Sequence, residues 1–289
     1  MNFKTNTLPL SQRQGITSFS LKVLALFFMT LDHIHYFLGG SLLPVPELFG
    51  MLGRLSAPLF LFTMAEGFSH TRNRKAYLTR LYAASVLMSL GNFLVNRYLP
   101  HPGGAMVINS MFSTLFLTGL FLQALETGLM AIRERSFKKL GLSVLLLGTP
   151  FLSGVLVFLL IAAGSMQTAA GKFLFNFLFM CLPSPFFAEG GFIWIFLGMG
   201  FYFLRNRKGL LSGFYLLLSG YFFFTAAQSG LTFENLFLSH NQWLMVFSLI
   251  FILLYRGRKG ASMKYFFYLY YPLHIYALVL LARLLAAVL

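Results

Sequence analysis

Long apolar segments joined by short polar connections constrain the fold of this chain more than any other feature of its sequence. A helix needs about 20 apolar residues to cross a bilayer, and nine segments approach or reach that length. With 58% hydrophobic and only 10% charged residues, the composition is typical of a polytopic membrane protein. The predicted spans are residues 19–38, 51–69, 76–98, 109–132, 140–163, 188–204, 209–227, 240–255 and 263–287.

The basic residues recur after every second predicted span. If the N-terminus is cytoplasmic, most of the 22 Lys and Arg residues fall on the inner side, which is the positive-inside pattern. The sequence therefore predicts an all-α polytopic membrane protein with about nine transmembrane helices, N-terminus in and C-terminus out. Despite the net charge of +15, no nucleic-acid partner is expected, because the charges do not form one patch.

One apolar stretch does not fit this count. Residues 172–187 are short and contain Pro-Ser-Pro, and a full crossing there would move the basic run at 205–208 outside. A re-entrant or interfacial segment is therefore expected. We predict a cytoplasmic N-terminal tail at 1–18 and one transmembrane domain at 19–289. The single Cys181 excludes a Cys-based metal cluster, and no metal is predicted.

The most informative stretch is Leu21–Tyr36, where an apolar helix carries ionisable residues. Such a group costs about 2.5–3.5 kcal/mol at the centre of a membrane helix and is by default a candidate functional residue. With a rise of about 1.5 Å per residue, His33 and His274 both lie near the middle of the membrane. Arg54 enters from the outer side. We therefore expect Asp32, His33, Arg54 and His274 to converge in one cavity.

These residues admit a catalytic and a structural interpretation. A neutral histidine can act as a general base, a carboxylate can orient it, and Arg54 can stabilise an oxyanion or that carboxylate. Alternatively, Asp32 pairs with Arg54 to hold the first two spans together, and the histidines are satisfied core residues. His35 points about 200° away from His33 along the helix, so no catalytic role is expected for it.

A second set of charges lies at the predicted inner side. Arg72, Arg74, Lys75 and Arg80 follow the second span and offer a phosphate site, or they only set the topology. His70 is expected at the interface of the membrane. Motifs for nucleotide binding, zinc proteases and serine hydrolases are absent from the sequence.

Three motifs occur in this order along the chain: DHI at Asp32–Ile34, GR-x-x-x-PLF-x-F-x-x-AEGF-x-HTRN at Gly53–Asn73, and YFFYLYYPLH at Tyr265–His274. Together with NSMFSTLFLTGL and YRGRKG, they resemble the TraX family over nearly the whole chain. The match is looser from about 124 to 240. There the sequence has EGG at Glu189–Gly191, where an acidic-Tyr-Gly turn is expected.

The resemblance implies a function. TraX proteins are integral membrane proteins named for N-terminal acetylation of pilin, and they are similar to the transmembrane acyltransferase superfamily, which uses cytoplasmic acyl-CoA. It implies an O- or N-acetyltransferase of the bacterial plasma (inner) membrane, with acetyl-CoA as acyl donor and a protein N-terminus or a glycan as acceptor. The expected catalytic residues are His33, Asp32, Arg54 and His274. The expected acetyl-CoA-binding residues are Glu66, His70, Thr71, Arg72, Asn73, Lys75, Arg80 and Tyr271.

Two other functions remain open. In a proton-coupled transporter, Asp32, Glu66 and the histidines form a proton relay. In a scaffold without catalysis, the buried polar residues matter only for stability. Membrane lipid is an expected partner in every case, and the sequence does not specify the oligomeric state.

Overall fold

The structure is a computed structural model, which describes residues 15–40, 42–108 and 110–288. Throughout these ranges the regular structure is helical, apart from one isolated parallel bridge between Ile16 and Tyr255. The α-helices are α1 Ser18–Leu38, α2 Leu48–Gly53, α3 Ser56–Ser69, α4 Arg74–Tyr98, α5 Met111–Glu134, α6 Phe137–Ala162, α7 Ala169–Cys181, α8 Gly191–Leu204, α9 Lys208–Gln228, α10 Ser248–Leu254 and α11 Lys264–Val288. Two 3₁₀ helices, Ser165–Gln167 and Asn241–Phe247, and a π-helix, Glu234–Ser239, complete the order.

Seven helical stretches within the described residues are long and apolar enough to cross a membrane: α1, α2 and α3 taken together, α4, α5, α6, α9 and α11. The outer surface of the bundle is apolar, with Leu217 77% exposed and Phe173 72% exposed. A soluble protein does not leave so much apolar surface in water. The prediction of an all-helical, multi-pass membrane protein is confirmed.

The remaining apolar helices are shorter. The spans predicted at 188–204 and 240–255 correspond to the helical stretches Gly191–Leu204 and Asn241–Leu254. The segment predicted not to cross, 172–187, overlaps α7, which has 13 residues and is not among the seven long stretches.

Helix α3 lies at the centre of the bundle. It packs against α1, α5 and α8, and its side chains Leu59, Leu61 and Phe68 are fully buried. The approach of α8 is close because Gly198 has no side chain. A Cβ at this position would lie 2.7 Å from Cγ2 of Thr118 in α5. This packing brings α1, α3, α5 and α8 around one interior.

The helix starts follow from local sequence. The side chains of Thr17, Asn73, Ser136 and Thr168 accept a backbone N–H in the first turns of α1, α4, α6 and α7. Such caps satisfy N–H groups that have no partner within the helix. The Ser110 side chain makes no such bond at the start of α5. The backbone N–H of Ser110 instead donates to Glu189 Oε2, which lies outside α5.

The predicted second span is interrupted. It consists of α2, which ends at Gly53, and α3, which begins at Ser56. Pro58 explains the break, because its ring clashes with the carbonyl of residue 54 in a continuous helix and it has no N–H to donate. In the first turn of α3 the same proline is tolerated. Arg54 therefore lies at a break between two helices.

One end of the bundle, which we call the basic end, comprises the connections at 70–73, 135–136, 205–207 and 255–263. At this end, Arg74 of α4 contacts two other helices. It pairs with Glu126 of α5 and donates to Tyr202 Oη of α8 at 3.2 Å. The chain before α1 runs along the last of these connections, with Ile16 N–H donating to Leu254 O at 3.1 Å. Lys4 and Arg13, which the sequence assigns to the same side, lie outside the described residues.

The other end of the bundle, which we call the opposite end, is held by polar contacts. His35 Nε2 lies 3.0 Å from Glu47 Oε2, and Arg283 donates to Pro100 O at 2.7 Å. His101 Nε2 lies 2.7 Å from Phe37 O and donates to it. His35 thus contacts the loop after α1 and does not face the same side of the helix as His33, as the angle of about 200° between them predicts.

Candidate functional site

Two cavities meet inside the bundle. The smaller, the His33 cavity, has a volume of about 180 Å³. The larger, the basic cavity, has a volume of about 530 Å³. Phe60, Met111 and Tyr271 line both cavities, so these three side chains form their common boundary.

The His33 cavity contains three of the four residues that the sequence predicts to converge: Asp32, His33 and Arg54. Asp32 and His33 come from α1, and Arg54 comes from the break between α2 and α3. His33 is 3% exposed. The full lining is Met29, Asp32, His33, Gly53, Arg54, Ser56, Ala57, Phe60, Met111, Glu189, Trp194, Gln242 and Tyr271.

A histidine pair joins α1 to α11. His33 Nδ1 lies 2.7 Å from His274 Nε2, and His274 Nδ1 lies 2.8 Å from Tyr270 O. A carbonyl oxygen only accepts, so His274 carries its proton on Nδ1, and its Nε2 is the acceptor when the ring is neutral. His33 then donates from Nδ1. Consequently Nε2 is the proton-accepting nitrogen of neutral His33.

The tyrosine next to this pair strengthens the α1–α11 contact. Thr30 Oγ1 donates to Leu26 O at 2.8 Å, so it accepts the hydrogen bond from Tyr270 Oη, also at 2.8 Å. The Tyr270 ring stacks on His274, with ring centroids 5.1 Å apart. The orientation of His274 is therefore fixed from two sides.

Arg54 forms an ion pair with Asp32 across the His33 cavity. Its Nε also donates to Gly50 O at 3.1 Å, which holds the guanidinium against α2. The approach depends on Gly53, because a Cβ there would lie 2.4 Å from the Asp32 Cβ and 2.3 Å from its Oδ1. Glu66, in the last turns of α3, has different partners, including Tyr255 Oη at 3.4 Å.

Glu189 enters the His33 cavity from the loop before α8. Its Oε2 accepts the Ser110 N–H at 2.8 Å and the Tyr271 hydroxyl at 3.2 Å. Its backbone carbonyl accepts from Thr114 Oγ1 at 2.6 Å. Burial raises the pKa of the Glu189 carboxyl above its ordinary value, and the Ser110 N–H only partly opposes this.

The basic cavity reaches the surface at the basic end, where Gly257, Lys259 and Ala261 line it and are exposed. Lys22, Arg80 and Lys259 contribute positive charge to the lining. Glu66 is the acidic residue of this lining, and it accepts from Tyr255. Burial raises the pKa of Tyr255 to about 12, so this hydroxyl is a neutral donor at neutral pH.

The residues predicted to bind acetyl-CoA are divided between two places. Five of them line the basic cavity: Glu66, His70, Thr71, Arg80 and Tyr271. The other three lie in the turn that leads into α4 and at its start, outside that lining. There the Asn73 side chain accepts the Ala76 N–H at 2.9 Å, and Arg72 and Lys75 are exposed. Among the predicted catalytic residues, His274 is in contact with His33 but does not line the cavity.

Several residues of the two cavities have no site role predicted from the sequence. Lys22 and Lys259 are predicted only to set the topology, although both line the basic cavity. Glu189 stands out in the sequence only as part of the EGG turn. Its acidic character in an apolar stretch was the available signal. Trp194 and Gln242 carry no signal that separates them from other membrane residues.

The structure thus defines a multi-pass membrane protein with two adjoining cavities, one with basic side chains in its lining and one containing a buried histidine and an ion pair. Among the described residues, no three His, Cys, Asp or Glu side chains are grouped so that they could hold a metal ion. A site of this kind is suited to proton transfer beside a bound anionic ligand.

Comparison with known proteins identifies the family. The sequence model of the TraX protein family matches residues 18–282, so the chain belongs to the TraX family. It is also 38% identical over 80 residues to the probable fimbrial assembly protein FimC, serogroup H1, of Dichelobacter nodosus, covering 27% of this chain and 32% of that protein. The chain therefore spans about a third of the length of this curated relative. No solved structure matches it.

Proposed function

We propose that this protein is an integral membrane acetyltransferase, which moves an acetyl group from acetyl-CoA to an amine or hydroxyl acceptor. The observation that carries the proposal is the meeting of a basic cavity with the His33 cavity at Phe60, Met111 and Tyr271. Acetyl transfer needs one binding site for a large anionic donor and another for the acceptor, and the two sites must meet where the acyl group is transferred. The basic cavity and the His33 cavity meet in this way.

We infer the orientation in the membrane from the charges. We place the basic end in the cytoplasm, since loops rich in Lys and Arg remain inside. The N-terminus is then inside and the C-terminus outside. Nine crossings result if Gly191–Leu204 and Asn241–Leu254 cross together with the seven long stretches, and α7 is re-entrant or interfacial. The membrane is the bacterial plasma membrane.

The basic cavity fits acetyl-CoA by charge and position. Lys22, Arg80 and Lys259 would bind its phosphates, because ammonium and guanidinium groups form charge-assisted hydrogen bonds with phosphate oxygens. The cavity leads from the basic end towards His33, so the thioester end can approach the common boundary. When bound, acetyl-CoA supplies an electrophilic acyl carbon.

His33 is the general base of the proposed reaction. Its Nε2 takes a proton from the acceptor, and the His274 contact keeps the required tautomer. Arg54 is positioned to stabilise negative charge in the same cavity, and Asp32 holds Arg54 in place. Tyr271, which lines both cavities, is a positioning residue at their boundary.

Family membership and the fimbrial relative favour a role in the processing of pilin. The acceptor is then a protein N-terminus. A hydroxyl of a cell-surface glycan is the other acceptor compatible with a base in this position.

Membrane vesicles containing the full chain, labelled acetyl-CoA and a peptide with a free amino terminus test the function. We expect acetyl transfer with the wild type and a loss of at least about 100-fold in His33→Gln, the usual contribution of a general base. His35→Gln, in the same helix but bonded to Glu47, is the matched control and retains activity. Full activity in His33→Gln, or no acetyl-CoA-dependent transfer by the wild type, contradicts the proposal.

A proton-coupled transporter is the second candidate. One observation favours it: titratable side chains line both cavities, with Glu66 in one and Asp32, His33 and Glu189 in the other. Liposomes containing the purified protein and a pH-sensitive dye distinguish the two. Proton flux without acetyl-CoA supports transport, whereas acetyl transfer without flux supports the enzyme.

A further inference from the structure

Glu189 has one carboxylate oxygen in use and one available to the His33 cavity. Both described donors, Ser110 N–H and the Tyr271 hydroxyl, bond to Oε2. Oε1 accepts none of the described hydrogen bonds, and the side chain lines the cavity and keeps some accessible surface. Glu189 thus lines the cavity with a carboxylate that has one oxygen without a described donor.

When Glu189 is ionised, the charges of the cavity do not balance without an additional cation. Arg54 is paired with Asp32 and is held further by Gly50 O. With His33 neutral and Glu189 ionised, the described lining of the cavity carries one net negative charge. The lining also includes the aromatic side chains of Trp194 and Tyr271, and aromatic rings attract cations.

We propose that Glu189 is the residue that recognises the acceptor, by binding its ammonium group through Oε1 and taking the first proton from it. The inference rests on the proposed acetyl transfer and assigns to Glu189 the choice of an amine over a hydroxyl. Burial raises the pKa of Glu189, because an ionised carboxylate is costly in this cavity. An ammonium group offsets that cost by supplying the missing positive charge.

The chemistry of an amine acceptor requires two proton acceptors. An ammonium nitrogen has no lone pair, so Glu189 first takes one proton, giving a neutral amine and a carboxylic acid. The amine nitrogen then bonds to the acyl carbon, the carbon–sulfur bond of the thioester breaks, and the second proton passes to His33 Nε2. Coenzyme A leaves as its thiolate, which His33 reprotonates, and Glu189 releases its proton to solvent. A hydroxyl acceptor requires only His33.

A purely structural role for Glu189 makes a different prediction. Through Oε2 the carboxylate satisfies the Ser110 N–H at the start of α5, where no side chain of the helix does so. That role needs only one acceptor oxygen. The amide oxygen of Glu189→Gln supplies it, while the amide NH₂ group replaces Oε1 with a donor that repels an ammonium group.

Glycinamide and glycolamide are suitable probes, because they differ only in an ammonium group versus a hydroxyl. Their binding to the full-length protein in lipid nanodiscs is measured by saturation-transfer NMR without acetyl-CoA. We expect glycinamide to bind about 10-fold more tightly than glycolamide, the effect of one charge-assisted hydrogen bond. Glu189→Gln should abolish this preference. Glu47→Gln, which alters a carboxylate at the opposite end, should keep it.

The pH dependence of wild-type binding provides a test without a variant. Glycinamide binding should decrease above the pKa of its amine, about 8, as the ammonium charge is lost. Glycolamide binding should not change there. The groups that face Glu189 in this titration are Asp32, Arg54, His33 and the hydroxyl of Tyr271.

The outcomes separate this inference from the proposed function. Equal binding of the two probes by the wild type, or an undiminished preference in Glu189→Gln, overturns the role of Glu189 even if acetyl transfer is observed. A preference that depends on Glu189, in a protein that transfers no acetyl group from acetyl-CoA, supports amine recognition and overturns the acetyltransferase.

Discussion

His33 Nδ1 lies 2.7 Å from His274 Nε2, and this contact joins the first described helix of the bundle to the last. Because Tyr270 O fixes the proton of His274 on Nδ1, the contact also fixes the tautomer of His33. A residue 241 positions away in the chain thus decides which nitrogen of His33 accepts a proton. In the proposed reaction, His274 therefore acts through His33 and is a positioning residue.

Substitution of His274 tests this relation. We expect His274→Ala to lower acetyl transfer about 10-fold to 100-fold, since the wrong tautomer of His33 cannot act as a base. His274→Gln should retain most activity, because its amide oxygen can accept from His33 Nδ1. The measurement is the initial rate of transfer at saturating acetyl-CoA. Equal loss in both variants would assign His274 a packing role instead.

The Asp32–Arg54 pair makes an asymmetric prediction for stability. Arg54→Gln leaves Asp32 in a cavity with Glu189 and no cation, whereas Asp32→Asn leaves Arg54 beside Glu189. We expect Arg54→Gln to destabilise the protein more. The double variant should recover part of the loss, with a coupling energy of about 1–2 kcal/mol.

Thermal unfolding of the purified variants in detergent measures this cycle. Additive shifts of the unfolding midpoint would mean that the two charges do not interact. The pair is partly accessible, with side-chain exposures of 26% for Asp32 and 31% for Arg54. Solvent therefore screens it, and the effect should be smaller than for a fully buried pair.

Gly53→Ala should separate α1 from α2. The added methyl group would overlap the Cβ of Asp32, which rotation of the side chain cannot move, so we expect a loss of about 1–3 kcal/mol. Gly141→Ala in α6 is the control, because nothing lies within 4 Å of a Cβ there. It should be neutral or stabilising by up to about 1 kcal/mol. Equal unfolding midpoints for the two variants would contradict the close approach.

The sequence was sufficient to predict that His33 and His274 lie close together. Depth along a helix follows from a constant rise per residue, so His33 and His274 could be placed at one level from their distance to the helix ends. Pairing of Asp32 with Arg54 was one of two alternatives, and the contact itself leaves both open, because the pair also lines the cavity.

Residues outside regular helices could not be placed in this way. Glu189 lies in the loop between α7 and α8, where no helical period relates it to Arg54 or Tyr271. The sequence is equally unable to predict where the charged side chains of the basic end point. Whether a flanking charge faces a cavity or the solvent depends on the rotation of its helix and on loop contacts, such as Phe19 N–H to Lys259 O at 3.0 Å.

Acetyl-CoA binding tests which basic residues bind the phosphates: those that line the basic cavity or the exposed ones outside it. Lys22→Gln and Lys259→Gln remove charges from the basic cavity, and we expect each to raise the dissociation constant about 10-fold. Arg72→Gln and Lys75→Gln remove exposed charges outside its lining and should have little effect. Filter binding of labelled acetyl-CoA measures both. The reverse order would favour the phosphate site predicted from sequence.

Stability should depend on pH through Glu189. Burial raises its pKa in the folded state above the unfolded value of about 4.3. The folded protein therefore holds a proton that the unfolded chain releases between these two pKa values. The stability contributed by the protonated carboxyl is complete below about pH 4.3 and is lost as the pH rises through the folded-state pKa.

The glutamine side chain in Glu189→Gln stays neutral at every pH. The unfolding midpoint of this variant should therefore vary less than that of the wild type between about pH 4.3 and the folded-state pKa of Glu189. Relative to the wild type, the variant should become more stable as the pH rises. Glu47→Gln should follow the wild type, since Glu47 is 59% exposed. Thermal unfolding in detergent at a series of pH values above 4 provides the comparison. Parallel curves for Glu189→Gln and the wild type would show that Glu189 has the same proton affinity in both states, because every other titratable group of the cavity is unchanged.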